Sequence, residues 1–201
     1  MIQNKYRSSS EGIIATYNYE DIIEGSGIAN FYCCESIDST TTQYFLTGKP
    51  LVSSDSLGVA LNAGATSYDT TFTYDAAFNT TRILKGDIYA QILGQTYTQS
   101  AGDVTFTVAA SVYHYDGTTE TQIGSTITTQ TKIGGGDATT TAWTELLVIS
   151  NSSVINFKVG DIIRLKLRLV GARTGGVHIF TVFTDPAESK TKIAVPFRID
   201  I

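Results

Sequence analysis

The side chains able to do acid–base, nucleophilic or metal chemistry are few in this chain and widely separated. It has two histidines, His114 and His178. Neither has a Cys or His neighbour at the short spacings that bring metal ligands together. His114 falls on the apolar parity of one strand-like run and His178 opens another, so each is expected as a satisfied structural histidine. No Gly-x-Ser-x-Gly elbow occurs, and the glycine clusters match neither a phosphate loop nor a dinucleotide fingerprint. Glu20, Asp21 and Glu24 form the one acidic cluster. They lack the alternating oxygen ligands of a calcium loop and are expected in a solvated turn. No pair of carboxylates is nominated for glycoside hydrolysis. Cys33 and Cys34 are adjacent. In a strand they point to opposite faces and cannot readily pair, so they are read as small buried hydrophobes. The chemistry-bearing residues therefore point away from an enzyme: no catalytic residue, no cofactor and no metal is expected.

Residues suited to recognition are better represented. Eleven tyrosines is a high count for 201 residues, and aromatic rings supply contact area at low entropic cost. Tyr113 and Tyr115 share the polar face of one strand and, with Trp143, are the candidate ligand or interface aromatics. Coverage of a sandwich edge or a subunit seam is favoured over a sugar platform. Arg164, Lys166 and Arg168 alternate along another strand and are candidate interface charges on a solvated face or a seam, with an anion site as the lesser reading. A net charge of −5 and scattered basic residues argue against nucleic acid as a partner. No stretch approaches the ~18 apolar residues of a membrane helix. Met1–Ser10 lacks the apolar core of a signal peptide, so synthesis in a host cytoplasm is expected. Asn79-Thr80-Thr81 and Asn151-Ser152-Ser153 match the glycosylation pattern, as chance allows in a chain so rich in Thr and Ser.

The elements that must carry these residues are strands. Val104, Phe106, Val108, Ala110 and Val112 alternate with Thr105, Thr107, Ala109, Ser111 and Tyr113, the two-residue period of a half-buried strand. Ile163, Leu165, Leu167 and Leu169 alternate with the three basic residues, and Ile193, Val195, Phe197 and Ile199 form a third such run. Trp143–Ile149 is more continuously apolar and is expected to be covered on both sides. Weaker alternation brings the expectation to about ten strands. No helical stripe of useful length occurs. Asp185–Lys190 is expected as at most one helical turn. Gly-Asp pairs at 86–87, 102–103 and 160–161 precede apolar β-formers, as turns that launch strands do. Gly134-Gly135-Gly136 reads as a loop, and Pro196 suggests an edge or terminal strand. The expected fold is an all-β, antiparallel, jelly-roll-like sandwich with little or no helix. It forms a single domain over residues 1–201, with 1–11 as an extended N-terminal arm.

Four pieces carry a resemblance. They are Tyr17-Asn18-Tyr19 leading to Gly25-Ser26-Gly27-Ile28 and Phe31-Tyr32; Phe157-Lys158-Val159-Gly160-Asp161-Ile162-Ile163-Arg164-Leu165; Asp185-Pro186-Ala187; and Val195-Pro196-Phe197-Arg198-Ile199-Asp200-Ile201. In this order the chain resembles jelly-roll virion structural proteins of tailed bacteriophages, of the head-decoration and head-fibre type. The resemblance implies a non-enzymatic virion protein, most simply a capsid decoration subunit. It would contact other virion proteins and further copies of itself, with a trimer favoured. The alternative is a carbohydrate- or receptor-binding module of a phage tail or head fibre.

Overall fold

The computed structural model describes residues 15–16, 26–38, 41–48, 57–61, 67–98, 103–135, 139–174, 178–182 and 191–198. All regular structure among them is strand: β1 (Ala15–Thr16), β2 (Ser26–Asp38), β3 (Thr41–Thr47), β4 (Leu57–Leu61), β5 (Ser67–Ala77), β6 (Arg82–Leu84), β7 (Ile88–Thr98), β8 (Asp103–Tyr115), β9 (Glu120–Thr128), β10 (Lys132–Gly135), β11 (Thr139–Ile149), β12 (Ile155–Phe157), β13 (Ile162–Thr174), β14 (His178–Val182) and β15 (Lys192–Arg198). The expected ten become fifteen because several are segments of two to five residues that alternation does not register. The N-terminal arm, the Glu20–Asp21–Glu24 cluster and the Asp185–Lys190 segment lie outside the described residues.

The strands follow one hydrogen-bonded path, β10-β8-β13-β5-β3-β2-β15-β7-β14-β4, with β9 beside β8, β11 beside β7, β1 beside β2, and β6 between β12 and β15. Every pairing is antiparallel except a single parallel contact, Phe45 opposite Asp75. The sheet curls until its inner faces meet, so the fold is an all-β, jelly-roll-like sandwich. β9, β10, β8, β13 and β5 form one wall, and β2, β15, β7 and β11 form the other.

The alternation seen in the sequence is what fills the space between the walls. Val104, Phe106, Val108, Ala110 and Val112 of β8 and Ile163, Leu165, Leu167 and Leu169 of β13 are all buried. They face Ala29, Phe31 and Cys33 of β2, Ile193, Val195 and Phe197 of β15, and Ile88, Ala90 and Ile92 of β7 in one core. Each such side chain contributes about 1.5–3 kcal/mol by leaving water. At one end, Phe78 packs against Phe31, Phe157 and Phe197 at centroid distances of 4.8–6.2 Å.

Turn chemistry places the strand starts. Gly86 and Gly160 have φ of 110° and 91°, a region L-residues with a Cβ rarely occupy. The aspartate after each bonds an amide: Asp87 Oδ1 accepts from Asn151 N at 3.0 Å, and Asp161 Oδ2 from Lys158 N at 2.9 Å. Asn151 is itself buried, its amide group held by Gly86 and Ser153. It is a turn residue rather than an exposed glycan acceptor.

Three local expectations are corrected. Gly134 and Gly135 are not loop but strand β10, opposite Val104 and Asp103. Of the two readings of Pro196, the terminal strand holds and the edge does not: β15 is the last described strand in chain order and lies between β2 on one side and β7 and β6 on the other. Its carbonyl accepts from Lys85 N. Since N and O of a strand residue point the same way, the missing N–H faces the turn where the ladder passes from β7 to β6, and no bond is lost there. Finally, β11 is covered on one face only. Trp143, Leu147 and Ile149 face inward, while Leu146 and Val148 lie open on the outer face. Among the described residues β11 pairs with β7 alone.

Candidate functional site

The structure brings five of the six singled-out residues onto one surface, the outer face of β5, β13, β8 and β9. Pairing sets Arg164 opposite Tyr113 on β8 and Asp75 on β5, and sets Tyr115 opposite Glu120 on β9. Arg164 donates to both Asp75 oxygens, from Nε at 2.7 Å and Nη2 at 2.6 Å, and from Nη1 to Glu120 at 2.9 Å. Lys166 bonds the other Glu120 oxygen. Its amine also lies 4.5 Å from the centre of the Tyr113 ring, and Arg164 lies 4.8 Å from that of Tyr115. Arg168 repeats the two-pronged grip on Asp69, at 2.8 and 2.6 Å.

The electrostatics follow the geometry. Partial burial pushes the Glu120 carboxyl up, but hydrogen bonds from Lys166 and Arg164 outweigh it and leave it below its ordinary value. The Arg168 hydrogen bonds likewise lower Asp69. The carboxylates thus cancel the three cations one for one. Each of the two tyrosines has a cation over its ring, a favourable contact of roughly 0.5–1 kcal/mol where exposed. The basic line therefore offers no uncompensated charge to an anion. It is a strand face laced by cross-strand pairs.

Trp143 is not part of this surface. It projects from β11 into the gap between the walls, 5.3 Å from Phe106, with Lys132 5.6 Å from its ring centre. Lys132 in turn pairs with Glu145 across the seam between β10 and β11. The indole is a core-edge wedge rather than a platform beside Tyr113 and Tyr115.

His114 meets Asp161, Nε2 to Oδ2 at 2.6 Å, and its ring lies 4.5 Å from that of Phe157. It is a satisfied structural histidine, as its parity implied. His178 falls within β14, opposite Leu61 and Thr98. Cys33 and Cys34 are both buried and neither is in a disulfide, and burial raises the Cys33 thiol well above its ordinary value. No group of three metal-ligating side chains occurs among the described residues.

Sequence reasoning missed the opposite surface. On the outer face of β11, β7, β15 and β2, Val148 stands opposite Tyr89, Tyr89 opposite Ala194, and Pro196 opposite Ile28. Leu146 is 65% exposed, Tyr89 41%, Val148 40% and Ile28 38%. The signal was present in the continuous apolar run Trp143–Ile149, but it read as double coverage. A strand with both parities apolar is either buried twice or left with an apolar face for something else to cover.

No protein-family model matches the chain, and no curated protein does. Among solved structures, a CocE/NonD family hydrolase from Staphylococcus aureus is 11% identical, with a TM-score of 0.37 over 82% of this chain and 41% of that one. The structure of infectious bursal disease virus, Gx strain, is 14% identical, with a TM-score of 0.26 over 85% and 45%. The chain thus spans less than half the length of the structures it is similar to. Likenesses of this strength bear on neither activity nor assembly.

Proposed function

We propose that this chain is a non-enzymatic structural subunit of a virus particle, most specifically a capsid decoration protein of a tailed phage, that works by contacting other protein subunits. The observation that carries this reading is the partly apolar outer face of β11, β7, β15 and β2, where Leu146, Val148, Tyr89 and Ile28 are exposed in adjacent rows. Exposed apolar side chains grouped on one rigid face mark protein contacts. The opposite face supports it differently. Its charges are already paired and its tyrosines already carry cations, so it behaves as a finished exterior rather than a ligand site. The phage resemblance of the four sequence pieces supplies the setting, a particle assembled in the host cytoplasm.

The test is to purify particles of the virus that carries the gene and quantify this chain in them by mass spectrometry, together with cosedimentation of added protein with particles that lack it. Stoichiometric presence and saturable binding are expected. Absence from purified particles, or turnover of a polysaccharide by the isolated protein, would overturn the reading.

A further inference from the structure

The outer face of β11, β7, β15 and β2 carries its charge at its two ends. Strand pairing aligns Leu146, Gln91, Lys192 and Tyr32 in one row, and Val148, Tyr89, Ala194 and Asn30 in the next. Beyond them Pro196 stands opposite Ile28. Arg198 follows on the same parity, and Lys85 occupies the adjoining turn, its amide donating to Pro196 O. Lys192 and Arg198 open and close β15, so at ~3.3 Å per residue they lie about 20 Å apart. The Lys192 amine is 5.9 Å from the centre of the Tyr32 ring. None of the three cations makes an ion pair among the described residues. No Asp or Glu occupies an outer position of β7, β11, β15 or the Ser26–Tyr32 half of β2. An apolar centre is therefore flanked by Lys192 at one end and by Lys85 and Arg198 at the other.

We propose that this face docks onto a different protein, at an apolar patch flanked by two groups of carboxylates about 20 Å apart. The proposal rests on the reading above that the chain works by contacting other subunits, and names the kind of surface it contacts. Charge complementarity sets the partner's acidity: unpaired cations at a rim gain from carboxylates across the contact, and like charges there are costly. That cost also counts against a two-fold contact of this face with itself. The described carboxylates of a second copy are engaged already. Asp69, Asp75, Glu120 and Glu145 are in ion pairs, Asp161 is bonded to His114, and Asp87 and Asp116 accept from backbone amides. The centre sets the partner's class. Leu146, Val148 and Ile28 are aliphatic, which suits the dry core of a protein contact and offers nothing to a nucleic acid or an acidic glycan.

The experiment adds purified protein to particles that lack it, couples amines to touching carboxylates with a carbodiimide, and identifies the joined peptides by mass spectrometry. Lys85 and Lys192 are expected to couple to Asp or Glu of a different virion protein. Binding should weaken as salt rises from ~0.05 to ~0.5 M, because exposed charge pairs are screened. K85E/R198E and Leu146→Ser should each weaken it at least about tenfold. Gln122→Glu, on exposed β9 of the other wall, should leave it unchanged, and equal melting temperatures show that all variants fold. Coupling of these lysines to a second copy of the chain, coupling from neither lysine, or undiminished binding of K85E/R198E overturns the proposal. So does adsorption to phosphatidylserine vesicles that K85E/R198E loses, which would assign the face to a lipid surface. If the wild type binds particles through another face, only this proposal falls. If it does not bind them at all, the virion reading falls as well.

Discussion

His114 and Asp161 meet at 2.6 Å where three segments converge. Asp161 also takes the Lys158 amide at 2.9 Å, and its own backbone carbonyl receives the Phe78 amide while Gly160 N donates to Phe78 O. One carboxylate thus ties the end of β8 to the turn that launches β13 and, through the backbone, to the Phe78 aromatic cluster. Replacing it with alanine leaves the histidine and the Lys158 amide without their acceptor. The expected cost is about 2 kcal/mol, within the usual range for an unmade bond to a charged group, read from urea unfolding.

The same group predicts an acid limb. The Lys158 amide first, and His114 second, hold the Asp161 carboxyl below its ordinary 3.8. A carboxyl with a depressed folded value contributes stability above its unfolded value and loses it as pH falls through the folded one. Wild type and Asp161→Asn should therefore differ most above about pH 4 and converge below it. Melting curves from pH 7 to pH 2 check this, and a difference that widens in acid contradicts it.

The two Arg–Asp grips on β13 should differ in worth although their geometry is alike. Arg164 stands directly opposite Asp75 and is shared with Glu120, with side chains 21–34% exposed. Arg168 reaches Asp69 diagonally, with both side chains more than half exposed. Solvent competes for the second pair far more. A double-mutant cycle on Arg164 and Asp75 is expected to give roughly 1 kcal/mol of coupling, and the cycle on Arg168 and Asp69 no measurable coupling. Equal values would show that exposure is not what separates them.

How far the sequence could be read depended on whether a feature repeats along the chain. The buried rows of β8, β13 and β15 were legible because their alternation runs for seven or more residues. The Gly-Asp turns were legible because the φ requirement leaves a residue-type mark. What sits opposite a residue leaves no such mark. Nothing near Arg164 in the chain announces Asp75, 89 residues away, or Glu120, 44 away, so the pairing of this face's charges was not legible. Trp143 was grouped with Tyr113 and Tyr115 as an aromatic, yet it occupies the other wall. The apolar outer row was visible in composition and misassigned in coverage, because one strand cannot say whether its second face has a neighbour.

The cysteines give a direct check of core integrity. Both are buried and outside any disulfide, and a thiol reagent attacks the thiolate, which burial suppresses. Native protein should show no fast-reacting thiol, and denatured protein should show the chain's two. Rapid labelling of either residue in the native state would mean that β2 leaves the sheet readily.

Gly124 tests how closely the two walls approach. It has φ of 65° in β9, beside the irregularity where the β8 register shifts between Ala110 and Val112. A Cβ there would lie 2.5 Å from Ser150 O and 2.9 Å from Ile149 Cγ2, so a side chain would drive β9 away from the end of β11. At Gly117, φ is 90° but nothing lies within 4 Å of the added carbon. The alanine variants separate backbone strain from contact. Gly117→Ala should cost only the strain, about 1–2 kcal/mol. Gly124→Ala should carry that strain plus an overpacking penalty of about 1–3 kcal/mol. Chemical denaturation of both variants reads the difference directly. If Gly124→Ala is no worse than Gly117→Ala, the walls part easily at that corner, and the β9–β11 contact does not hold the sandwich closed.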